Sequence, residues 1–533
     1  MSDFMIDPDR PVGPSVTRPA VDVSREEPVQ APAAVTSPSA PGPRDLPQVP
    51  GPAGNPTRLS LAGASPAVTA GLAAAGGVRA ARLAGPVQRR GIGDPMYQAT
   101  LLPGTPPRRF FSENDVPMGG MVINSHTFNR DGLHPRFIAQ AAVKANPDIQ
   151  LVVPTEQPFD GPSDPRFAAE RAHQARELGV DEKNIFPARS DMASFPQDEF
   201  LAGVVDGQLT LVTPNDRSER PDRWGKRDES GNGRADKITR DGAAMLAREL
   251  GIRQGVSDSI SEGGDTQFVT RPDGRQGTYF SAYTVNRVAA TRDIDPSKST
   301  GFMKALDVTM RGMRAAGVAV EDMAPLGQGD VTYRQALDRM SPEDRASLDP
   351  EIRQRFEQLG DLPLPMKSFV YHSDLTMLTP DGKTAFIDGD RAKAQPQLET
   401  QLRAFGYDPV RMPAVSHDPR PLASPDRQIQ GISASGSGMR LSYMNTIQGT
   451  VDGRKVFLMP TEVHDPTRLT PRDLQARDLL LQHSPGALVV PVGAHSGVTG
   501  FQARGQDGAE IYRDNGIHCA TNVLPARLSM RAP

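Results

Sequence analysis

Residues 371–388 read YHSDLTMLTPDGKTAFID and contain the pattern that decides the fold. The dipeptide Asp381-Gly382 separates two segments rich in apolar and β-branched residues, and Asp-Gly is the strongest short-range signal for a β-hairpin. The second segment, Thr384 to Ile387, has the β-branched and aromatic content of a strand. These residues therefore predict a hairpin that turns at Pro380 to Lys383.

The same pattern recurs along the chain. Asp-Gly pairs with strand-like neighbours, such as Thr210 to Val212 and Lys455 to Met459, predict five hairpins. Their turns are Asp206-Gly207, Asp273-Gly274, Asp381-Gly382, Asp452-Gly453 and Asp507-Gly508. Asp-Gly also begins at positions 131, 160, 241 and 388 without clear strands on both sides, so the dipeptide alone is an incomplete criterion.

Helical apolar spacing occurs between the hairpins. It predicts helices that each run into a glycine, the residue that most readily adopts the left-handed conformation at a helix end. The predicted helices and their glycines are Arg166 to Leu178 with Gly179, Ala235 to Leu250 with Gly251, Phe302 to Ala316 with Gly317, Pro342 to Leu359 with Gly360, and Pro396 to Phe405 with Gly406. This alternation predicts an α/β or α+β domain over residues 96–533. Helix-plus-hairpin units arranged in a ring would place several loops around one central pocket.

Residues 1–95 have a different composition. They are rich in proline, alanine, glycine and serine and lack a sustained apolar period, so they cannot bury enough surface to offset the entropy of ordering. We therefore expect a disordered leader. The Ala-rich stretch from Leu61 to Leu83 is interrupted by Pro66, Arg79 and Arg82, which predicts neither a signal-peptide core nor a membrane span.

The charge balance limits the partners that we expect. With 60 basic and 64 acidic residues the formal net charge is −4, so there is no broad basic field and no nucleic-acid partner is predicted. A soluble protein that recognises any cationic ligand locally fits this composition.

The chain has one cysteine, Cys519, so no intramolecular disulfide is expected. Residues 515–523 read NGIHCATNV and follow the fifth predicted hairpin. Thr521 and Asn522 are able to form hydrogen bonds around the thiol in this polar, glycine-led setting. A lone cysteine is most often a small buried apolar residue, but these neighbours favour a reactive thiol.

His372 and Asp374 are predicted on the first arm of the hairpin that turns at residues 380–383. Because side chains alternate along a strand, both project to the same face. An imidazole and a carboxylate on one surface suit proton transfer beside a bound cation. In a chain with nine histidines and 64 acidic residues a His-x-Asp pattern also arises by chance, so both interpretations stay open.

Two acidic segments are further candidates. Residues 262–265 read EGGD, and the paired glycines permit a tight bend that turns Glu262 and Asp265 toward one point. Residues 222–228 read DRWGKRD and contain the single tryptophan, Trp224. The structural alternatives are an ordinary acidic loop for the first segment and a solvated charged loop over a packed Trp224 for the second.

Taken together and in their order along the chain, these four segments resemble the arginine deiminase, agmatine deiminase and peptidylarginine deiminase families. The run 518–523, HCATNV, is similar to the His-Cys-Gly-Thr-Asn-Val run of peptidylarginine deiminases, and its start resembles the agmatine deiminase ending. Residues 372–374 resemble the families' His-x-Asp, and 262–265 resemble the Glu-Gly-Gly-Asp of free-arginine deiminases. Residues 442–445, SYMN, are similar to a Tyr-x-Asn strand of these families.

The likeness extends over residues 100–533, where it is limited to short matching segments. One of these segments departs from the family pattern. Agmatine deiminases have Trp-x-Arg-Asp and peptidylarginine deiminases have Trp-x-x-Asp, whereas residues 224–228 read WGKRD, with extra spacing before Asp228. This spacing weakens the match of Asp228 to the families' first guanidinium-binding carboxylate.

The resemblance implies a five-bladed, pseudo-symmetric α/β propeller that hydrolyses a guanidinium group, with Cys519 as nucleophile and His372 as general acid and base. The implied catalytic residues are Cys519, His372, Asp374 and Asp228, and the implied substrate-binding residues are Asp228, Asp374, Glu262, Asp265 and Trp224. This chemistry requires no metal or organic cofactor. The sequence has no EF-hand loop for calcium, and calcium dependence stays open.

Several functions fit these residues. The closing motif favours deimination of arginine to citrulline in proteins or peptides. The leader resembles the export region of a bacterial effector that enters a host cell without a cleaved hydrophobic signal peptide. The alternatives are a deiminase of agmatine or free arginine, an amidinotransferase that uses the same nucleophile, and a degenerate propeller that acts as a non-enzymatic binding module.

Overall fold

The computed structural model describes part of the chain. The described ranges are 95–123, 135–155, 159, 161, 163–190, 200–214, 235–257, 259, 264–367, 377–389, 396–413, 443–461, 466–493 and 521–531, with the backbone alone described for 235–241. The predicted leader, up to residue 94, lies outside these residues, and the boundary near residue 95 stays a prediction.

The described strands are short. They are β1 (Tyr97–Leu101), β2 (Gly120–Ile123), β3 (Gln150–Thr155), β4 (Ile185–Arg189), β5 (Leu201–Val205), β6 (Gln208–Pro214), β7 (Arg253–Ser257), β8 (Thr266–Thr270), β9 (Gln276–Ser281), β10 (Met323–Leu326), β11 (Met377–Leu378), β12 (Thr384–Asp388), β13 (Asp408–Met412), β14 (Ile447–Val451), β15 (Arg454–Pro460), β16 (Leu488–Val492), β17 (Thr521–Leu524) and β18 (Ala526–Met530).

Helices connect many of these strands. They are α1 (Pro135–Ala145), α2 (Pro165–Leu178), α3 (Ala235–Glu249), α4 (Ala282–Thr291), α5 (Ser299–Ala315), α6 (Tyr333–Asp338), α7 (Pro342–Ser347), α8 (Pro350–Gln358), α9 (Pro396–Ala404) and α10 (Pro471–His483). None of the helices in the described ranges is both long and apolar enough to span a membrane.

Five small sheets share one arrangement. In each, a strand at one edge pairs antiparallel with its neighbour, which in turn pairs with a strand parallel to it. The antiparallel edge strands are β5, β8, β11, β14 and β17. Strands β1 and β18 form a separate two-stranded sheet. The mixed α/β class is therefore confirmed, and the five-bladed propeller stays a prediction.

Four of the predicted hairpins are confirmed, and two of their Asp-Gly turns have positive φ at both residues. Asp206 and Gly207 have φ values of 52° and 74°, and Asp452 and Gly453 have φ values of 49° and 75°. Positive φ at both central residues is the signature of a type I′ turn, whose twist matches that of the strands. The fifth predicted turn, at residues 507–508, lies outside the described residues.

The antiparallel pair of the fifth sheet is not a hairpin, which was not predicted from the sequence. Strand β17, near the C-terminus, pairs antiparallel with β2, and Thr521 lies opposite Ile123. Strands β1 and β18 also pair residues from the two ends of the domain, with Tyr97 opposite Met530. Such pairings are non-local, so no turn signal marks them.

The helix predictions needed two corrections. Glycines 179, 251, 317 and 406 have the left-handed φ that was predicted, but Gly360 does not. The single helix predicted from Pro342 to Leu359 was wrong, because the structure contains α7 and α8 instead. Asp349 accepts hydrogen bonds from the backbone amides of Glu351 and Ile352, and Pro350 takes the first helical position, so a new helix begins there.

The core lies between the sheets and the helices. On α5, Phe302, Leu306 and Met310 are fully buried at the four-residue spacing of one helix face. They belong to a cluster that also contains Phe280 of β9 and Ile352 of α8. At about 25 cal/mol per Å² of apolar surface removed from water, such clusters are the main source of stability.

A segment before β2, Arg108–Met118, crosses three antiparallel edge strands. Its backbone amides at Phe111, Glu113 and Met118 donate to carbonyls of Ala202 in β5, Phe268 in β8 and Thr450 in β14, over 3.0, 3.0 and 2.8 Å. We call it the crossing segment. Because it bonds to three sheets, it holds their edge strands together.

Candidate functional site

Each sheet has two ends, which differ in what is attached to them. At the turn end lie the four described Asp-Gly turns. At the opposite end, which we call the connection end, the antiparallel edge strands begin. The middle strand of each sheet is antiparallel to the edge strand, so it ends at the connection end. The third strand is parallel to the middle strand and also ends at the connection end. In open α/β sheets, ligands bind at the carboxyl ends of parallel strands, which is the connection end here.

The predicted site segments are attached to the connection end. Asp265 directly precedes β8, and Asn445 lies two residues before β14. Cys519 lies two residues before β17, and His372 and Asp374 lie five and three residues before β11. Chain connectivity alone thus brings four segments to the same end of four sheets.

The acidic segment with Trp224 and Asp228 has a related position. It lies between Pro214, the last residue of β6, and Ala235, the first residue of α3. Since β6 runs antiparallel to β5, its last residue lies at the connection end. The extra spacing before Asp228 falls in the part of the chain between β6 and α3, outside the described residues.

Most of the predicted site residues lie outside the described residues. These are Cys519, His372, Asp374, Asp228, Glu262 and Trp224. Their mutual distances and roles stay predictions. Asp265 is described, together with the residues that follow Cys519 and those that match the Tyr-x-Asn pattern.

Asp265 is fully buried, and it is hydrogen-bonded to the first residue before helix α4, which follows β9. Its Oδ1 accepts a hydrogen bond of 2.7 Å from the Ser281 hydroxyl, and its carbonyl accepts one of 3.2 Å from the Ser281 amide. Ser281 is the N-cap of α4, where its hydroxyl oxygen accepts from the amide of Tyr283 over 3.0 Å. The positive end of the helix dipole favours a carboxylate nearby. The residues before β8 are thus anchored to the start of α4.

The segment before β14 is anchored in a similar way. The Tyr443 hydroxyl donates to Oδ1 of Asp473 over 2.8 Å, and both residues are buried. Asp473 lies in the first turn of α10, where it forms a capping box with Thr470. The Thr446 hydroxyl donates to the Tyr443 carbonyl over 2.7 Å. The predicted Tyr-x-Asn segment is therefore hydrogen-bonded to a helix N-terminus.

A cavity lies where four antiparallel edge strands meet. Its lining residues are Leu201 and Ala202 of β5, Phe268 of β8, Ile447 and Gln448 of β14, Thr521, Asn522 and Val523 of β17, and Phe111, Glu113 and Val116 of the crossing segment. The Asn522 side-chain amide donates to the carbonyl of Phe200 over 2.8 Å, which links β17 to the start of β5. Thr521, which lines the cavity, lies two residues after Cys519 in the sequence.

Gln448 and the crossing segment were absent from the predicted site. Gln448 is only 3% exposed although it is polar. A glutamine between Ile447 and Gly449 has the alternation of an ordinary half-buried strand, so the sequence carries no sign that both faces are covered. The crossing segment has no motif, and its role depends on contacts with distant strands.

Within the described ranges, no three His, Cys, Asp or Glu side chains form a group that could hold a metal ion. Because the predicted catalytic residues lie outside those ranges, the predicted absence of a metal stays untested.

Comparison with known proteins gives likenesses in structure alone. The chain is similar to the agmatine deiminase of C. jejuni, with a TM-score of 0.44 and 12% identity, over 82% of this chain and 98% of that one. It is also similar to a substrate-bound cysteine-to-serine variant of the same enzyme, with a TM-score of 0.40 and 12% identity, over 72% and 90% of the two chains. A third likeness, to a proposed peptidyl-arginine deiminase, has a TM-score of 0.40 and 13% identity, over 79% and 99%.

No protein-family model matches the sequence. No curated protein matches it either.

Proposed function

We propose that the chain hydrolyses a guanidinium group through a covalent intermediate on Cys519, with His372 as general acid and base. One observation carries this proposal: segments that resemble the deiminase motifs are attached to the same end of different sheets, and three of the strands that follow them, β8, β14 and β17, line one cavity. A site assembled from the starts of several strands suits a ligand that must be held from more than one side.

Substrate binding is the first task of such a site. A guanidinium is planar and cationic, and carboxylates bind it through charge-assisted, bidentate hydrogen bonds. We assign this task to Asp228 and Asp374, with Glu262 and Trp224 as further binding residues. The Asp265 carboxylate is buried and bonded to Ser281, so we propose that it positions the residues before β8. The bound cation favours the thiolate form of Cys519.

The reaction then has two halves. The Cys519 thiolate forms a bond to the central guanidinium carbon, His372 protonates the departing nitrogen, and ammonia leaves. In the second half, His372 takes a proton from water, and the water oxygen bonds to the same carbon. The carbon–sulfur bond then breaks and the second proton of the water passes to solvent, which releases the neutral ureido product and regenerates the thiolate.

For the substrate, we propose arginine in proteins or peptides, which would become citrulline. The support is the sequence of residues 518–523, which is more similar to the peptidylarginine deiminase motif than to the motifs of the other deiminase families. The leader of residues 1–95 fits an exported effector with this activity, and detection of the chain in culture supernatant and host cytosol would test that assignment. Retention inside the producing cell would contradict it.

For the architecture, we propose that the five sheets with an antiparallel edge strand are five blades of a propeller within residues 96–533. The crossing segment's bonds to three of those edge strands support a common centre. A crystal structure in which the five sheets do not surround one axis would reject this arrangement.

The test of function uses the full chain and Cys519→Ala. Each is incubated with an arginine-rich protein mixture, with agmatine and with free arginine, and ureido product and ammonia are measured with and without calcium. Product from protein that depends on Cys519 is expected. Product from a small guanidine alone would make the chain a small-molecule deiminase, and transfer to an added amine would make it an amidinotransferase. Absence of turnover with every substrate would favour a binding module.

A further inference from the structure

Asp-Gly is a chemically labile pair as well as a turn signal. In water, the glycine amide nitrogen bonds slowly to Cγ of the preceding aspartate and closes a five-membered succinimide ring. Ring closure needs the neutral carboxyl on a side chain that is free to turn. A cation or a hydrogen-bond donor that favours the ionised form therefore opposes it. The four described Asp-Gly turns differ in what each carboxylate binds.

The turn at Asp381-Gly382 holds its carboxylate most firmly. Asp381 accepts hydrogen bonds from the amides of Lys383 and Thr384 and from the Thr384 hydroxyl. Burial opposes ionisation of Asp381, but these bonds keep the pKa of its carboxyl below the usual value. Gly382 also lies against Thr270, so closely that an added Cβ would be 1.9 Å from the Thr270 carbonyl oxygen. Bonding and packing therefore both oppose ring closure at this turn.

The turn at Asp273-Gly274 is held through Arg275. The amide and the guanidinium of Arg275 donate to the Asp273 carboxylate over 3.0 and 2.7 Å, and these bonds lower the pKa of the carboxyl. The attacking nitrogen is engaged as well, because the Gly274 amide donates to the carbonyl of Arg271 over 2.9 Å. Both reacting groups of this turn are therefore occupied.

The turns at Asp206-Gly207 and Asp452-Gly453 form a matched pair. The two φ values are 52° and 74° in the first turn and 49° and 75° in the second, so any effect of the backbone on ring closure applies to both. An added Cβ at either glycine would have no atom within 4 Å, so both turns are open to solvent. Strand pairing joins the residues on either side of each turn, which leaves both glycine amides outside the ladder.

These two turns differ in what binds the carboxylate. Arg253 donates from Nη1 to Oδ2 of Asp206 over 3.2 Å and forms an ion pair with it. Asp452 is exposed and has no hydrogen bond or ion pair among the residues that the structure describes. The nearest cation in the sequence, Arg454, is directed elsewhere, because its Nε donates to the carbonyl of Gly486 over 2.8 Å.

We propose that Asp452-Gly453 is a modification site at which the chain forms isoaspartate, independently of its enzymatic function. The Gly453 nitrogen bonds to Cγ of the neutral Asp452 carboxyl, and the amide proton and the carboxyl hydroxyl leave together as water. A water molecule then adds to one ring carbonyl, whose bond to the nitrogen breaks. Cleavage at the main-chain carbonyl gives isoaspartate, and cleavage at Cγ restores aspartate. Isoaspartate lengthens the backbone by one carbon, which does not fit a two-residue turn and should disturb the pairing of β14 with β15.

The test measures all four turns in one sample. The folded full chain is incubated at mildly acidic pH in water labelled with heavy oxygen, because each cycle of ring closure and hydrolysis inserts one labelled oxygen. Mass spectra of the Asp-Gly peptides give the label, and electron-based fragmentation separates isoaspartate from aspartate. We expect Asp452 to gain label about two- to fivefold faster than Asp206, the range that one exposed ion pair contributes. Asp273 and Asp381 should be slower still.

Two controls separate the fold from the sequence. Arg253→Gln removes the cation from Asp206, so the rate of labelling at Asp206 should rise to that of Asp452, whose own rate should not change. In the chain unfolded by urea, the four pairs should label at similar rates.

Three results would overturn the inference. The first is a folded chain in which Asp452 gains no label or gains it no faster than the other three turns. The second is an unchanged rate at Asp206 in Arg253→Gln. The third is the same order of rates in the unfolded chain, which would assign the difference to the sequence alone.

Discussion

The two ends of the sheets are built by different means. At the turn end, residues adjacent in sequence form the structure: Asp381 accepts hydrogen bonds from the amides of Lys383 and Thr384 and from the Thr384 hydroxyl. At the connection end, the contacts join residues far apart in the chain, such as Asn522 with Phe200 and Tyr443 with Asp473. Local chemistry thus shapes one end, and the packing of whole sheets shapes the end that carries the candidate site.

The difference extends to burial. Asp273, in the second turn, is about half exposed and pairs with Arg275, whereas Asp265, at the other end of β8, is fully buried. Buried polar residues that are held by hydrogen bonds are costly to rearrange, so they fix the geometry of a site. This contrast predicts that substitutions at the turn end change stability, and that those at the connection end change chemistry as well.

The largest effect is expected from a matched pair that precedes and follows β11 in the chain, Asp374→Asn and Asp381→Asn. Loss of a carboxylate that binds a guanidinium should lower kcat/KM about 10²-fold or more, because one charge-assisted pair is lost in the transition state. Asp381→Asn should leave the kinetic constants unchanged and lower the melting temperature. Steady-state kinetics and thermal unfolding of both variants test this. Equal kinetic losses in the two variants would remove the distinction between the ends.

A second pair compares Asp265→Ala with Asp273→Ala on the hairpin of β8 and β9. Asp265→Ala removes the buried acceptor of the Ser281 hydroxyl at the start of α4, which should lower the free energy of unfolding by about 1–3 kcal/mol. Asp273→Ala removes an exposed ion pair with Arg275 and should change the melting temperature little. Denaturant titration measures both. A larger loss for Asp273→Ala would contradict the account.

Tyr443→Phe probes the second anchor at the connection end. It deletes the hydroxyl that donates to Asp473 but keeps the ring, so we expect a loss of about 1 kcal/mol in the free energy of unfolding. Tyr333→Phe, on α6, is the control, because its buried hydroxyl has no hydrogen-bond partner in the described part of the chain. A loss for Tyr443→Phe that does not exceed the control would show that the anchor contributes no stability.

The smallest effect is a pH dependence at the turn end. Burial opposes ionisation of Asp381, but hydrogen bonds from Thr384 and Lys383 outweigh it and hold the pKa of the carboxyl below its usual value. Its contribution is therefore fully present above the unfolded pKa of about 3.9 and is lost as the pH falls through the lower folded pKa. The difference in melting temperature between wild type and Asp381→Asn should shrink below about pH 4. A difference in melting temperature that grows as the pH falls would contradict a lowered pKa of Asp381.

The same contrast explains which features could be predicted from the sequence. The turns at Asp206-Gly207 and Asp452-Gly453 were predictable because the left-handed backbone depends on two adjacent residues. The break between α7 and α8 was also visible in Asp349 and Pro350, but helical spacing on both sides concealed it.

Features that depend on distant residues could not be predicted. The pairing of β17 with β2 joins the two ends of the domain without a turn signal. The bond between Asp265 and Ser281, and the burial of Gln448, depend on how strands and helices pack. Motif resemblance predicted which segments to examine, and chain connectivity then placed their attachment points at one end of the sheets.

The most direct test of the central claim is a crystal structure of Cys519→Ala with a guanidino substrate bound. We expect the guanidinium at the connection end, within about 6 Å of the carboxylates of Asp228 and Asp374 and of the imidazole of His372, beside the start of β17. A guanidinium bound elsewhere, or His372 and Asp374 far from the start of β17, would contradict it.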